Sequence, residues 1–452
     1  MRRSVLVPVV LALGAGALAA QEPGERARLD ALRASVQAVS DTVALRRWER
    51  ERIAAARVER DDPFLHMELG FVAFRLGDLT GWRRRYQDAA SEFQWAADLR
   101  PGWPMAWYHL GLAELAIGES GIILLENLRQ ALQLDRLSQA ARAFARALEA
   151  DPSYGVALVD LADIALRQRV AARLAVAQEA LRQAAGTPAG RIPSVQRQRG
   201  RLERRLGEMD SALVAFRAYL AAGGDSVVAA LELARTHAQR GGSDSVAAAW
   251  RAALARPPSP EARAEFRGDL RWVATPAELA RFDVLPDSAV APWLERFWEG
   301  RGAQDGRRGI ERLQEHFRRT QYAVTRFRLV SPRRAYSTLA VFRDTSQADL
   351  DDRGVIYIRH GEPTERRQHI APGTDANETW LYRRTPPAED LVLNFRAIGD
   401  VQDFRLVESL SAICGGVGTT AAGLQRTTAE QTQVWNDCLA SRVGLSDLYD
   451  RL

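Results

Sequence analysis

The sequence predicts a mainly α chain, an α-solenoid of stacked helical hairpins followed by a small α+β module with an antiparallel sheet. Three observations predict it. A small–aromatic–small signature closed by a helix breaker recurs four times between residues 89 and 258. Its last two copies are offset by 34 residues at every position, a period that marks a stacked-repeat architecture. Beyond residue 353 the apolar period changes from helical to two, the alternation of strands. At 452 residues the chain exceeds one ordinary core, and a hydrophobic fraction of 46% suits a folded protein.

Residues 1–20 read as a cleavable signal peptide. Arg2 and Arg3 form a basic start, Val5 to Ala19 an apolar stretch, and Ala17-Leu18-Ala19 a small-residue cleavage region. Pro8, Gly14 and Gly16 interrupt the run, which is short for a membrane span. No cysteine adjoins it, which argues against a lipoprotein, and no later segment predicts a transmembrane helix. The expected location is periplasmic or secreted.

Residues 21–62 predict N-terminal helices. Leu29, Leu32, Val36, Val39 and Val43 trace one apolar stripe, and Ser40-Asp41 caps a second helix running to about Val58. Residues 63–258 hold the repeats. The second helix of each hairpin carries Ala89, Phe93, Ala96 and Pro101; Ala140, Phe144, Ala147 and Pro152; Ala212, Phe216, Tyr219 and Gly224; and Val246, Trp250, Ala253 and Pro258. First helices show as Leu69-Gly70, as Trp107 with Leu110-Gly111, and as Leu161-Ala162 and Leu233-Ala234. Small residues allow close helix approach, the aromatic fills the groove, and proline or glycine ends the helix. One hairpin cannot bury its own apolar face, so hairpins stack. This segment resembles the tetratricopeptide-repeat family. Extra residues enlarge the first two units, and the helix around Ala171 to Ala185 lacks the aromatic.

Pro257-Pro258-Ser259-Pro260 marks a boundary, and residues 259–408 form the next segment. Leu270 to Val273, Ala277 to Phe282 and Ala291 to Trp298 read as short helices. Ile310, Leu313, Phe317, Thr320, Val324 and Phe327 trace a long amphipathic helix whose apolar stripe is expected to face the sheet. Four strands are predicted at Val355–Arg359, Glu378–Arg383, Leu391–Arg396 and Val401–Val407, with Gly354 turning the chain into the first and Gly361-Glu362-Pro363 turning it out. Residues 409–452 form a Gly- and Thr-rich tail that becomes helical. Its Cys414 and Cys438 are the only cysteines, and in an exported chain they predict a disulfide.

All 62 basic residues are arginine. The net charge of +5 includes Arg2 and Arg3 and is too mild to imply nucleic acid. It is uneven: residues 301–343 hold 11 arginines and three acids, a local +8. Arg308, Arg312, Arg319 and Arg326 are expected to lie away from the buried stripe, where they would meet an anionic envelope surface.

Ile356-Tyr357-Ile358-Arg359-His360-Gly361-Glu362 resembles the Arg-His-Gly motif that opens histidine-phosphatase domains. That chemistry needs a second, distant histidine and further arginines. Only His369 follows, and only 92 residues remain after His360. The histidines His66, His109, His237, His316, His360 and His369 show no metal-ligand spacing, and no phosphate loop or dinucleotide fingerprint occurs. No metal and no cofactor are predicted.

A second resemblance covers residues 265–408. Phe297-Trp298, Tyr322-Ala323, Phe327, Asp352-Arg353-Gly354, Gly361-Glu362-Pro363 and Trp380-Leu381-Tyr382 are similar to the motif order of the GWxTD-domain family of exported bacterial proteins. The name-giving Gly-Trp is replaced by Ala348-Asp349, the threonine position is Asp351, and His360 stands at a usually aromatic position. The resemblance implies a fold and an exported location rather than an activity. Asp352, Arg353, Gly354, Arg359, Gly361, Pro363, Trp380 and Tyr382 are its candidate binding positions. Arg353 and Arg359 are suited to clamp a carboxylate or phosphate, but Asp351, Asp352 and Glu362 are near enough in sequence to neutralise them. The function expected is a non-enzymatic interaction scaffold of the bacterial cell envelope, binding a protein or peptide on its repeats. The alternative is a phosphomonoester hydrolase acting through Arg359-His360-Gly361.

Overall fold

The computed structural model describes residues 23–118, 136–166, 171–329, 350–369, 376–384, 388–397, 404–407 and 427–442. Residues 1–20, where a signal peptide is expected, and Cys414 lie outside them. The fold class is the predicted one: mainly α, with tetratricopeptide-like hairpins and one small antiparallel sheet. The chain forms two compact units, one reaching Ala157 and one starting at Leu158.

In the first unit α1 (Pro23–Gln37) and α2 (Thr42–Ala56) precede two hairpins, α3 (Pro63–Thr80) with α4 (Arg83–Leu99) and α5 (Pro104–Gly118) with α6 (Arg136–Ala150). Asp41 caps α2 by accepting the Val43 N–H, as the sequence suggested, although Val43 itself is exposed and off the buried stripe. Asp62 caps α3 through the Phe64 N–H with Pro63 in the first turn, and Gly81 ends the helix at φ 69°. Leu29, Val36 and Leu45 join Met67, Phe71, Phe93, Trp103 and Leu110 in one core.

The unit boundary falls early in α7 (Gly155–Leu166). The second unit continues with α8 (Ala171–Ala184), α9 (Pro193–Leu206), α10 (Met209–Ala221), α11 (Ser226–Arg240) and α12 (Ser243–Leu254). Then come α13 (Pro260–Leu270), α14 (Pro276–Asp283), α15 (Asp287–Gln304) and α16 (Gly309–Arg326). The helix predicted from Ile310 to Phe327 is therefore present, but its stripe is divided. Leu313 and Phe317 enter the core of α11 to α15, and only Ala323 and Phe327 are buried in the core beneath the sheet. The expectation that all of them face the sheet is corrected accordingly.

The strand predicted at Val355–Arg359 is a helix, α17 (Asp352–His360). Its β-branched residues favour a strand in isolation, but tertiary context overrides weak propensity. Asp351 caps the helix by accepting the Gly354 N–H, and Val355, Ile356 and Ile358 bury against Phe327, Leu350 and Trp380. Gly354 consequently makes no turn. A Cβ there would lie 3.0 Å from the Leu350 Cβ and 3.1 Å from the Phe327 Cβ, so glycine permits close packing.

The sheet begins with β1 (Glu365–Arg367), which was not predicted, and continues with β2 (Asn377–Tyr382), β3 (Leu391–Ala397) and β4 (Phe404–Val407). All neighbours are antiparallel in the order β1-β2-β3-β4. Every residue of β2 is buried, because both faces are covered. Trp380 and Tyr382 face the α16–α17 core, whereas Leu381 meets Cys438 on α18 (Thr428–Ala440), in the predicted helical part of the tail.

Candidate interaction surface

The hairpins are locked by glycine against an aromatic ring. A Cβ on Gly70 would stand 2.5 Å from Phe93, and one on Gly200 would stand 2.6 Å from Phe216. Gly111 meets Phe144 in the same way. Gly200 was missed in the sequence because α9 is rich in arginine and glutamine. The available signal was spacing: Gly200 precedes Ala212 by 12 residues, as Ala234 precedes Val246 and Ala162 precedes Leu174. The last register explains the missing aromatic of α8. Gln178 stands in its place and donates to the buried Glu203 carboxylate at 2.5 Å, beside a two-pronged contact from Arg182 at 2.8 Å.

In the second unit the first helices α9, α11 and α13 carry a ladder of charge. Fully buried Glu232 accepts from Arg201 at 2.8 Å, Arg204 at 2.6 Å and Arg235 at 3.2 Å. Arg235 continues to Glu265 at 2.7 Å and Asp269 at 2.8 Å, and Arg197 reaches Glu265 at 2.5 Å. Burial pushes the Glu232 carboxyl up, but Arg204, Arg201 and Arg235 outweigh it and hold it well below the usual range. Glu265, also opposed by burial, is held at about 2 by Arg235 and Arg201.

Helix α16 closes this face. Gln239 on α11 donates to the Phe317 carbonyl at 2.8 Å, Gln321 donates to the Arg204 carbonyl at 3.4 Å, and Arg205 hydrogen-bonds Thr325. His316 is fully buried against Trp298 and kept neutral, its basicity lowered first by burial and then by Arg312 and Arg235.

In the first unit the helices meet through aromatic rings. His66 is held between the Glu92 carboxylate and the Arg60 carbonyl, each at 2.7 Å, and stacks on Trp95. His109 lies edge-on to Phe71, and burial lowers its pKa to about 4. Leu112 and Leu115 on α5 are partly exposed. Helix α1 crosses the start of successive hairpins, with Glu25 accepting from the Trp103 indole at 3.0 Å and Arg28 lying 4.0 Å above the Phe64 ring.

The motif positions of the C-terminal module converge, but as an internal tie. Asp352 accepts the Leu406 N–H at 2.7 Å and faces Arg405 at 3.5 Å, joining α17 to β4. Arg353 bonds Asp351 at 2.7 Å and Glu378 at 3.1 Å while lying 3.6 Å above the Phe404 ring. Gly361, at φ 84°, ends α17 and accepts from the Tyr382 hydroxyl at 3.0 Å, next to buried Pro363. Trp380 packs on Phe395. Arg442, fully buried between Asn377 and Thr379, was not foreseen.

Arg359 and His360 are not delivered by a strand. Arg359 donates to the Trp272 carbonyl at 2.8 Å, and His360 is exposed at the end of α17. The expected basic face is also corrected. Arg312 is buried and paired with Asp305 at 2.7 Å, and Arg319 is committed to Glu315 at 2.9 Å and the Arg359 carbonyl at 3.2 Å. Arg308 and Arg326 are exposed, with Arg308 bonded to Glu311. A long helix between two cores has two buried sides, so one apolar stripe does not locate its outer face. Residues 330–343 of the basic segment lie outside the described residues. Cys414 does too, while Cys438 is buried on α18.

No family model and no curated protein matches the sequence. Solved structures do. MamA shares 16% identity over 45% of this chain and 95% of its own, with a TM-score of 0.30. YrrB, described as a TPR protein with an unusual peptide-binding site, shares 15% over 48% and 97%, with a TM-score of 0.34. TTC0263, a thermophilic TPR protein of Thermus thermophilus, shares 22% over 44% and 97%, with a TM-score of 0.30.

Proposed function

We propose that the protein is an exported interaction scaffold of the bacterial cell envelope that holds a peptide or protein segment on the first-helix face of its N-terminal unit. The observation carrying this reading is the contrast between two similar faces. On the second unit the face is neutralised by its own ion ladder and roofed by α16. On the first unit the first helix α5 keeps the partly exposed Leu112 and Leu115, while Phe71 and His109 are buried among the core aromatics. Repeat arrays use such surfaces for extended ligands. Residues 265–408 belong to the proposal as a GWxTD-like closing module, whose motif residues build its core rather than a ligand site. Export rests on the basic and apolar pattern of residues 1–20. It requires an N-terminus near Gln21 in envelope-purified protein, and an intact Met1 terminus in the cytoplasmic fraction would refute it. Partner binding is tested by a photo-crosslinking residue at Leu112 or Leu115, compared with exposed Ser91 and Arg146 on second helices. Adducts confined to the first-helix positions support the reading. Adducts at all four positions alike, or at none, overturn it.

A further inference from the structure

Helix α1 is seated on the first unit in the manner of a ligand. Only Leu29 and Val36 of its 15 residues are buried. Partly buried Leu32 packs on the same core, and the remaining attachments are polar and spread along the face: Glu25 to the Trp103 indole, Arg26 at 5.3 Å from the Tyr154 ring, and Arg28 above Phe64. At its far end the Val39 carbonyl accepts from Arg75 at 3.0 Å. It thus touches residues that open three successive first helices, yet it connects to α2 only through residues 38–41. Packing beneath it is incomplete. A cleft of about 630 Å³ remains between α1, α2 and α3, lined by Arg28, Leu32, Arg52, Phe64 and Glu68. Its Arg52 Nε is buried and faces the Glu68 carboxylate at 3.7 Å, an ion pair too long for a hydrogen bond.

We infer that the first-helix face of the N-terminal unit is a groove for an amphipathic helix carrying α1's pattern, and that α1 is its displaceable internal occupant. The pattern is an acid for the Trp103 indole, arginines three and one residues apart from it for the Phe64 and Tyr154 rings, and aliphatic side chains at the Leu29 and Val36 positions. Cation–π contact explains why arginine, rather than a purely apolar helix, fits an aromatic floor. The inference rests on the proposed function and adds to it the chemistry of the partner and its competitor.

The test uses the full mature chain with a site-specific protease sequence inserted in the 38–41 connection. The probe is a fluorescent peptide spanning Pro23 to Ser40. Binding is expected to be at least about 10-fold tighter after cleavage than before, a difference of about 1.4 kcal/mol. A peptide carrying Arg28→Ala and Leu29→Asp should not bind. In uncut protein, Leu29→Asp alone should open the groove and raise peptide affinity by a similar factor while circular dichroism stays unchanged. Equal affinity before and after cleavage, no exchange after cleavage, exchange of α1 only between two copies as dimers, or loss of fold on cleavage would each overturn the inference. Crosslinks at Leu112 or Leu115 that persist in any of those cases would leave the proposed function standing.

Discussion

Replacing Glu232 with glutamine removes one charge from the centre of the ladder while keeping the side chain's shape. Arg201 and Arg235 retain Glu265, and Arg235 also retains Asp269. Arg204 keeps only the Glu232 carbonyl and the Thr236 hydroxyl, both at 3.2 Å. Breaking a buried pair costs roughly 3–5 kcal/mol, and with only one arginine left without a carboxylate we expect about 3 kcal/mol. For a unit of about 300 residues that lowers Tm by roughly 5 °C. Glu261→Gln, at the exposed end of the same network, should cost less than about 1 kcal/mol. Acid adds a second reading. Glu232 and Glu265 both titrate below their unfolded values, so their contribution is full above about pH 4.5. It is lost as pH falls toward about 2, where Glu265 takes its proton. Thermal melts by calorimetry from pH 7 down to 3 should show the gap between wild type and Glu232→Gln narrowing in acid. A mutant that melts within about 2 °C of wild type at pH 7 would refute the argument that the ladder is held by this carboxylate.

Other expectations follow from packing, protonation and covalent chemistry. Gly70→Ala places a methyl against Phe93 and should destabilise by about 1–3 kcal/mol in thermal melts, whereas Gly268→Ala, open on its outer side, should gain up to about 1 kcal/mol. Burial raises the Asp352 carboxyl to about 7 against the Leu406 hydrogen bond, so its contribution is full below about pH 4 and is lost as pH rises through 7. Asp352→Asn should flatten that part of the stability profile. Envelope-purified protein should yield no free thiol on labelling after denaturation, with Cys414–Cys438 contributing roughly 3 kcal/mol. Arg312→Gln should lower stability by breaking the pair between buried Arg312 and exposed Asp305, without changing cosedimentation with anionic vesicles.

The repeat signature was legible because glycine, alanine and one ring must recur wherever two helices touch closely. The ladder was legible in principle but unread. Arg204 and Glu232 are 28 residues apart, and Arg235 and Asp269 are 34 apart, so charges on successive first helices meet at about the repeat period. Composition alone does not reveal that arithmetic. The Asp352-Arg353-Gly354 motif was visible, but its purpose was not. Its partners Glu378, Arg405 and the Leu406 N–H come from strands whose pairing sets the geometry. The misread strand at Val355 shows the converse: a β-like pattern loses to one aspartate cap and an apolar bed already shaped for a helix.

Stacked repeats usually fold from neighbour contacts, so that a nucleus can form anywhere and spread in one dimension. The closure by α16 changes that for the second unit. Its bonds to α9 join residues 117 and 120 positions apart, and Arg328 reaches the Leu166 carbonyl across 162. Such distant closures raise contact order, which slows folding. They also bind the outcome at α9 to the arrival of a helix made much later. The second unit should therefore fold late and as a single cooperative body, rather than hairpin by hairpin. A chain emerging N-terminus first would carry an unroofed row of arginines and carboxylates until α16 arrives.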